Sequence, residues 1–329
     1  MRSDLPVIFR ILKARVMRPH IIAIVGPTGV GKSAVAQELA LRMDSTVMSA
    51  DSMQVYRGMD IGTAKVPPSE RLVTHYGIDL VDPNEPFSAV AFQRYGRGVI
   101  TKLTADREKP PVLCGGTGLY LRAVMDAFEF PGVSEDEESG RNEARDRYMA
   151  YAQAQGEAAL HAMLAERDPE SAALIHPHNV RRVVRALELW EAGECYAQRS
   201  QGFSERKSYY PTRWIALDSE RDELYRRIDE RVELMMEAGL LDEVARLLAA
   251  GYREALTAAQ AIGYKELVPV LEQGAALSEA IAAIKQATRR YAKRQLSWFR
   301  ADPRVEWTHV DGRTPREIVD EIEGRADGL

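Results

Sequence analysis

A glycine-rich loop near the amino end carries the residue types that bind a chain of phosphates. It fits the pattern G-x-x-x-x-G-K-[ST], and its members are Gly26, Pro27, Thr28, Gly29, Val30, Gly31, Lys32 and Ser33. The glycines allow backbone N–H groups to face an anion, and Lys32 adds a positive charge beside the terminal phosphate. A helical pattern follows the loop, and the dipole of a helix start favours the same anion. The loop alone does not identify the phosphate compound or the bond that is broken.

A carboxylate and a hydroxyl follow two other apolar stretches. Asp51 comes directly after Thr46–Ala50, and Thr117 comes after Val112–Cys114 and two glycines. Open α/β sheets bind ligands at the carboxyl ends of their strands, so we expect both side chains beside the loop. The residues alone leave Asp51 open as a general base, a magnesium ligand or a helix cap, and Thr117 as a ligand donor or a turn-stabilising hydroxyl.

A cluster of positive charges lies near the carboxyl end, although the net charge is −5. The segment Ile281–Arg300 contains no acidic residue, and its cations are Lys285, Arg289, Arg290, Lys293, Arg294 and Arg300. A helix of this content has a cationic stripe that could contact nucleic-acid phosphates, or it is simply a solvated face. Tyr291, Trp298 and Phe299 add flat side chains that suit either RNA bases or a core.

Composition indicates a globular protein. The chain has 329 residues, of which 45% are hydrophobic, enough for one large or two modest domains. Cys114 and Cys195 are too few for a disulfide framework, which favours a reducing, cytoplasmic location. No apolar stretch approaches the length of a membrane span, and the absence of an N-K-x-D motif counts against a GTPase.

Alternating apolar runs and helical patterns predict an α/β fold with a mainly parallel sheet and a P-loop NTPase-like core. The core is expected to contain residues 20–130 and 206–329, after a flexible extension over residues 1–19. Residues 131–205 are charged and alanine-rich and lack a strand pattern, so they are predicted to form an all-helical insertion domain. Helices are expected to begin near Lys32 and Ser88. The candidate strands are Ile21–Val25, Thr46–Ala50, Ile78–Val81, Val112–Cys114 and Trp214–Leu217.

Helix signals also occur in the second half of the chain. Asp168 followed by Pro169 is typical of a helix start, and Asn179–Glu191 is predicted to be a helix that buries Val184, Leu187 and Trp190. Ser219–Asp222 fits a capping box that opens a long helix, and the remainder is expected to be helical.

Taken together, the motifs resemble the tRNA dimethylallyltransferases, also called tRNA isopentenyltransferases or the IPP transferase family. The resemblance runs from about His20 to Arg300, and several blocks in the right order make it specific. The blocks are the loop Gly26–Ser33, then Asp51–Lys65, Gly115–Tyr120, Ile175–Asn179 with Arg182–Glu188, Arg227–Arg231, Ala261–Glu266 and Arg290–Gln295.

The resemblance implies transfer of a dimethylallyl group from dimethylallyl diphosphate to N6 of adenosine 37 in tRNA, with release of pyrophosphate. It implies that the loop binds the diphosphate, with Mg²⁺ as cofactor and Ser33 on the metal side. It also implies that Asp51 is the general base, that Thr117 donates to the bridging oxygen and that Arg231 clamps the diphosphate. Arg227, one helical turn away, is the rival for that clamp.

The resemblance also implies a set of tRNA contacts, and we expect a monomeric protein. Asp51, Ser52, Met53 and Gln54 would border the adenosine, and the insertion domain would bind the anticodon stem-loop. The further candidates for RNA contacts are Arg141, Arg181, Arg182, Arg185, Gly263, Tyr264, Lys265, Arg290, Lys293 and Arg294.

Two other functions use the same loop. In a small-molecule kinase the loop would hold ATP, and Asp51 would deprotonate an acceptor hydroxyl. An RNA-binding nucleotide switch would need no covalent chemistry. The cationic segment and the arginines of the insertion favour the RNA-modifying transferase over a metabolite kinase.

Overall fold

The computed structural model describes residues 20–105, 109–128, 135–255 and 257–325. The chain divides into two compact units, one formed by Met1–Asp126 with Ser208–Leu329 and the other by Ala127–Lys207. The proposed limits of the insertion, 131 and 205, fall inside the second unit. The proposed extension over residues 1–19 lies outside the described residues.

The first unit is built on a parallel sheet, which confirms the predicted α/β class. In the described part of the chain the sheet has six strands in the order β3-β2-β4-β1-β5-β6, and every pair is parallel. The central strand β1 therefore ends between β4 and β5, where Val25 is in register with Gly115 and Ala216. The strands are β1 (Ile21–Val25), β2 (Val47–Ser49), β3 (His75–Tyr76), β4 (Val112–Gly115), β5 (Thr212–Asp218) and β6 (Val305–His309).

Helices complete both units. The first unit begins with α1 (Lys32–Arg42), α2 (Ala89–Ala105) and α3 (Gly118–Met125). The second contains α4 (Glu135–Gln155), α5 (Glu157–Arg167), α6 (Pro169–Leu174), α7 (Val180–Glu191) and α8 (Tyr196–Ser204). The first unit then continues with α9 (Arg221–Glu237), α10 (Leu240–Ala249), α11 (Val268–Gln273), α12 (Leu277–Arg300) and α13 (Pro315–Gly324).

Apolar side chains of the central strands are buried on both faces of the sheet. In β1, Ala23 and Val25 belong to one core cluster, whereas Ile24 belongs to another. Helices cover both faces of such a sheet, so its strands are continuous apolar runs without polar alternation. None of the described helices is long and apolar enough to cross a membrane.

Two strand predictions were wrong. The third strand is His75–Tyr76, not Ile78–Val81, because Gly77 and Asp79 adopt positive φ angles of 77° and 56° that end the extended backbone. Val81 forms only an isolated bridge to Tyr56. The carboxyl-terminal part was expected to be entirely helical, but Val305–His309 pairs with β5 at the edge of the sheet.

Helix starts were predicted with mixed success. Asp168 caps α6 by accepting the backbone N–H of Ser171, and Asn179 caps α7. The proposed capping box at Ser219–Asp222 was wrong, because Glu220 precedes α9 without a side-chain cap. The Ser219 hydroxyl instead donates to Asp311 Oδ1 at 2.6 Å. Trp190 was expected in the core but is 42% exposed, and the Arg167 guanidinium lies over its ring.

Candidate active site

The phosphate-binding loop connects the end of β1 to the start of α1. Gly26, Gly29 and Gly31 have φ angles of 138°, 83° and 95°, a region that side chains with a Cβ rarely adopt. A Cβ at Gly26 would also lie 2.7 Å from the carbonyl oxygen of Leu217. Helix α1 begins at Lys32, directly after Gly31, so its free N–H groups face the loop. The predicted loop and helix start are therefore both present at the sheet's carboxyl edge.

Lys32 lies in the cleft beside this loop. Its ammonium donates a hydrogen bond to the carbonyl oxygen of Pro27 at 2.7 Å. Burial lowers the pKa of Lys32 to about 8, the Arg231 guanidinium acts in the same direction, and Asp51 opposes them. A cation crowded by another cation favours binding of a polyanion, because the anion relieves the repulsion.

Asp51 and Thr117 lie at the ends of neighbouring strands β2 and β4. Asp51 lines the same cleft as Lys32, and its Oδ1 accepts the backbone N–H of Met53 at 2.9 Å. Thr117 immediately precedes α3, and its Oγ1 accepts the N–H of Ser52 at 3.1 Å. The backbone N–H of Thr117 donates to the carbonyl oxygen of Ala50 at 3.3 Å. The two strand ends are thus joined by hydrogen bonds next to the loop.

The two candidate clamp residues on α9 have different surroundings. Arg231 lines the cleft, and burial lowers the pKa of its guanidinium while Asp51 raises it. Arg227 is paired with Glu223 at 2.7 Å and with Asp311 at 3.0 Å. Arg231 is therefore the one whose charge faces the loop and Asp51.

Two further cleft residues, Tyr291 and Gln295, come from α12 and were not among the predicted site residues. Gln295 Oε1 accepts the N–H of Thr28 at 2.9 Å, and its Nε2 donates to the carbonyl oxygen of Gly116 at 3.1 Å. Tyr291 lies one helical turn earlier. Tyr291 and Gln295 are four residues apart within the block Arg290–Gln295, which puts them on one face of the helix. That spacing was the feature of the sequence that could have identified them as site residues.

Gln54, a predicted adenosine contact, is held by neighbouring groups. Its Oε1 accepts the Ser49 hydroxyl at 2.7 Å, and its Nε2 donates to the carbonyl oxygen of Thr63 at 3.0 Å. Gln54, Thr63 and Ala64 all line the cleft, whereas Met53 is half-buried against the core. The loop over residues 51–65 therefore forms one wall of the site.

Tyr264 does not fit the predicted role of a direct RNA contact. Its side chain is fully buried, and its hydroxyl donates to Glu243 at 2.6 Å. Burial raises the pKa of Tyr264, and Glu243 acts in the same direction. Gly263 is also buried, whereas the Lys265 side chain is 45% exposed. Of these three predicted residues, only Lys265 is exposed to solvent, and its ammonium lies 3.8 Å from Glu266 Oε1.

The cations of α12 fall into two sets. Lys285 pairs with Glu233, Arg289 with Asp229 at 2.6 Å, and Arg300 lies 3.7 Å from Asp218. Within the part of the chain that the structure describes, no ion pair engages the exposed residues Arg290, Lys293 and Arg294. Only this second set leaves its charge free for an external anion.

The second unit holds the remaining predicted RNA contacts. Arg181 and Arg182 are exposed on α7, and Arg185 pairs with the buried carboxylate of Glu188 at 2.8 Å. Arg141 belongs to α4, but its side chain lies outside the described residues. His178 contacts Glu157 at 2.6 Å.

Oxygen donors at the loop suit a hard divalent cation. The Ser33 hydroxyl at the first turn of α1 and the Asp51 carboxylate both line the cleft. Among the described residues no three His, Cys, Asp or Glu side chains cluster as a metal site. Mg²⁺ commonly needs only one or two protein oxygens when substrate phosphates and water complete its shell, so these residues fit it.

The chain is similar to known proteins that are named tRNA dimethylallyltransferases. Residues 54–302 match the model of a family described as IPP transferase, and residues 19–77 match one described as isopentenyl transferase. The chain is 45% identical over 309 residues to the tRNA dimethylallyltransferase of Geobacillus thermodenitrificans, covering 93% of this chain and 95% of the relative. It is 43% identical to that of Carboxydothermus hydrogenoformans, over 93% of this chain and 97% of the relative.

Solved structures give the same result. The full-length tRNA isopentenylpyrophosphate transferase from Bacillus halodurans superimposes with a TM-score of 0.68 at 41% identity, covering 94% of this chain and 96% of its own. A eukaryotic dimethylallyltransferase acting on tRNA superimposes with a TM-score of 0.74 at 26% identity, over 93% of this chain and 80% of its own.

Proposed function

The chain belongs to the IPP transferase family, and from that premise we propose that it transfers a dimethylallyl group to tRNA. The donor in this proposal is dimethylallyl diphosphate, and the acceptor is N6 of adenosine 37. One observation supports it most directly: Lys32, Arg231 and Asp51 converge on a single cleft. Two cations and a loop of backbone amides suit a diphosphate, and a carboxylate opposite them suits an acceptor that must lose a proton.

The loop holds the leaving group in this mechanism. The bond between the allylic carbon and the bridging oxygen breaks, so negative charge develops on the departing diphosphate. Lys32 and Arg231 face that charge, and Thr117 donates to the bridging oxygen. Arg227 is assigned a structural role, because Glu223 and Asp311 already neutralise it.

Asp51 is the general base. The lone pair of the adenine amine is delocalised into the ring, so the amine becomes an effective nucleophile only as a proton leaves it. A new bond forms between N6 and the allylic carbon, and the N6 proton passes to the Asp51 carboxylate. Asp51 lies at the end of β2, and its Oδ1 accepts a hydrogen bond from the N–H of Met53. In this proposal the other carboxylate oxygen accepts the N6 proton.

Mg²⁺ is the proposed cofactor, with Ser33 as its protein ligand. When bound, it would neutralise diphosphate charge and so stabilise the leaving group.

The acceptor adenine must leave its stack in the anticodon loop to reach the cleft. We place it against Gln54, which lines the cleft, with Ser52 and Met53 as its neighbours along the chain. Arg290, Lys293 and Arg294 are proposed to contact RNA phosphates, as are Arg181 and Arg182 of the second unit. A monomeric state and a cytoplasmic location remain predictions.

The kinase alternative is not favoured, because the relatives are named tRNA dimethylallyltransferases. The deciding experiment mixes the purified protein with unmodified tRNA, radiolabelled dimethylallyl diphosphate and Mg²⁺. Label is expected in tRNA with adenosine at position 37 and not in a matched tRNA with guanosine there. ATP consumption without labelled tRNA would overturn the proposal in favour of a kinase.

An Asp51→Ala variant separates catalysis from binding. We expect tRNA binding within about twofold of the wild type and loss of label transfer, because the proton acceptor is gone. Unchanged transfer by this variant would remove Asp51 from the mechanism.

A further inference from the structure

We propose that Trp298 of α12 is a stacking platform for a base of the anticodon loop that neighbours the acceptor adenosine. The inference rests on the proposed function, because it gives a place to RNA that delivers the adenosine to the cleft. Three observations support it: the exposure of the indole, its packing against the turn after β4, and the cations aligned with it on the helix.

Trp298 is a large aromatic residue that the fold leaves partly uncovered. It keeps 38% of its surface exposed, whereas Gln295 and Phe299 on the same helix are buried. An indole stabilises a core more than most side chains when it is buried, so its exposure forgoes that gain. A single exposed apolar residue is nevertheless ordinary on a protein surface, so the surroundings of the indole decide its role.

The backbone of Gly118 supports one face of the indole. A Cβ at Gly118 would lie 1.9 Å from Nε1, 2.3 Å from Cδ1 and 2.4 Å from Cε2 of Trp298. The distances to the two carbons that flank the nitrogen are nearly equal and only slightly longer than the distance to the nitrogen itself. That Cβ would therefore stand above the face of the five-membered ring and not at its edge. The ring lies flat on a residue without a side chain, which fixes the plane of the indole.

The turn beneath the indole is also joined to the proposed acceptor site. Gly118 directly follows Thr117, whose Oγ1 accepts the backbone N–H of Ser52 at 3.1 Å. Ser52 in turn follows the proposed general base, Asp51. An RNA strand that brings adenosine 37 to Asp51 therefore has its adjoining nucleotides within reach of this turn and of the indole that rests on it.

Positive charges are aligned with the indole along α12. Arg290, Arg294 and Trp298 are spaced by four residues, so they share one side of the helix at intervals of about 6 Å. All three are exposed, and neither arginine forms an ion pair with another of the residues that the structure describes. Proteins hold single-stranded nucleic acid with aromatic planes that stack on bases and with cations that neutralise the phosphates. The charge beside Trp298 favours RNA over an apolar protein partner.

Stacking on Trp298 would offset part of the cost of extruding the acceptor. A base that is drawn out of the anticodon loop leaves its neighbours without one of their stacking partners. The indole takes the place of that partner, because every base has a π-face that can stack on an aromatic ring. The platform therefore favours extrusion without reading the sequence of the loop.

The test is a thermodynamic cycle between the indole and the RNA. Fluorescence anisotropy measures the affinity of the wild type and of Trp298→Leu for a labelled anticodon stem-loop, intact or lacking the base immediately before or immediately after adenosine 37. Trp298→Leu is expected to weaken binding of the intact RNA about tenfold, and loss of the stacked base should weaken wild-type binding by about the same factor. The two changes together should also give about tenfold, because both remove the same contact.

Leu277→Ala is the matched control, because Leu277 is an apolar residue on the same helix that is also 38% exposed. Its variant should bind the intact stem-loop within about twofold of the wild type. Trp298→Phe keeps an aromatic face and should recover most of the affinity that Trp298→Leu loses. Affinity for inorganic pyrophosphate with Mg²⁺ should be unchanged in all three variants, which establishes that the phosphate-binding loop and the turn after β4 are intact.

The inference is overturned if Trp298→Leu binds the intact RNA as the wild type does, or if the losses multiply at both flanking positions when protein and RNA are changed together. It is also overturned if pyrophosphate affinity in Trp298→Leu falls as far as RNA affinity, or if the wild type does not bind the stem-loop. Because the cycle measures binding alone, coupling in a protein that labels no tRNA would refute only the proposed function. Labelling of tRNA without coupling would refute only the role of Trp298.

Discussion

Gln295 on α12 accepts a hydrogen bond from the backbone N–H of Thr28 in the phosphate-binding loop, with 2.9 Å between Oε1 and the nitrogen. The same side chain donates to the carbonyl oxygen of Gly116, and a Cβ at that glycine would lie 1.9 Å from Gln295 Nε2. One buried amide therefore fastens the loop after β1 to the turn after β4. The last long helix of the chain is part of the active-site framework as well as a surface.

Gln295→Leu is expected to destabilise the protein. The leucine has a similar size but leaves the Thr28 N–H and the Gly116 carbonyl without partners, which lowers the free energy of unfolding by about 2–4 kcal/mol. Urea denaturation followed by tryptophan fluorescence measures this change. Gln286→Leu, at an exposed position of the same helix, is the control and should change it by no more than about 0.5 kcal/mol. Equal values for the two variants would contradict the role of Gln295.

Local sequence patterns predicted the phosphate-binding loop, Asp51 and Thr117. They missed Tyr291 and Gln295, which long-range contacts bring to the site. The loop Gly26–Ser33 and the strand that precedes it form a contiguous signal, and parallel strand ends bring Asp51 and Thr117 beside it. Tyr291 and Gln295 reach the site from a helix far along the chain, and the sequence does not show which face of α12 packs inward.

The same limitation explains the other errors. Tyr264 lies in a block shared with the RNA-modifying family, yet its side chain is buried and its hydroxyl donates to Glu243, a partner that the block does not contain. The edge strand Val305–His309 is short, and β5 alone supplies its pairing. At β3 the positive φ of Asp79 is not a property that residue type dictates.

Glu243→Gln is expected to loosen the wall of the cleft. The buried Glu243 carboxylate accepts backbone N–H bonds from Asp60, Ile61 and Gly62 at distances of 2.9–3.2 Å, as well as the Tyr264 hydroxyl. A glutamine turns an NH₂ group toward those donors, so the free energy of unfolding should fall by about 2–4 kcal/mol. Hydrogen exchange should also speed up at residues 60–62.

Asp242→Asn is the matched control for that change, since Asp242 is an exposed neighbour on the same helix. Its effect on unfolding should stay below about 1 kcal/mol, the usual value of a charge near a helix start. Unaltered exchange at residues 60–62 in Glu243→Gln would show that the carboxylate does not hold the loop.

Arg231 and Arg227 can be separated by parallel substitutions. Arg231→Gln removes the guanidinium that faces the loop, so kcat/KM for dimethylallyl diphosphate should fall by about 100-fold or more. Arg227→Gln removes a cation already paired with Glu223 and Asp311, and we expect less than about a fivefold change. Steady-state kinetics with saturating tRNA measures both, and the reverse ranking would make Arg227 the clamp.

Lys32 should make diphosphate binding depend on pH. The pKa of Lys32 is lowered to about 8 by burial, so in the free protein the ammonium loses its proton as pH rises through that value. A bound polyanion favours the charged form and raises the pKa in the complex, so binding takes up a proton above pH 8. Affinity for pyrophosphate should therefore be unaffected by Lys32 below pH 8 and fall above it, by up to about tenfold per pH unit.

Isothermal titration calorimetry in buffers of different ionisation enthalpy measures the proton uptake. Lys32→Arg keeps its charge throughout this range and serves as the control, because the ionisation of pyrophosphate itself is common to both proteins. The same uptake in Lys32→Arg would assign the pH dependence to another group.

The cations of α12 should differ in their contribution to tRNA binding according to their ion pairs. Arg290 and Lys293 are exposed and have no ion-pair partner among the residues that the structure describes, whereas Lys285 and Arg289 are paired with Glu233 and Asp229. Replacing Arg290 and Lys293 together by Gln should weaken tRNA binding and reduce the slope of log K against log salt by about 1.4–1.8, because each phosphate contact contributes about 0.7–0.9. The matched double variant of Lys285 and Arg289 should leave the slope nearly unchanged, since internal carboxylates already neutralise those charges. Filter binding across a salt series compares the two, and equal slopes would show that tRNA does not use the unpaired set.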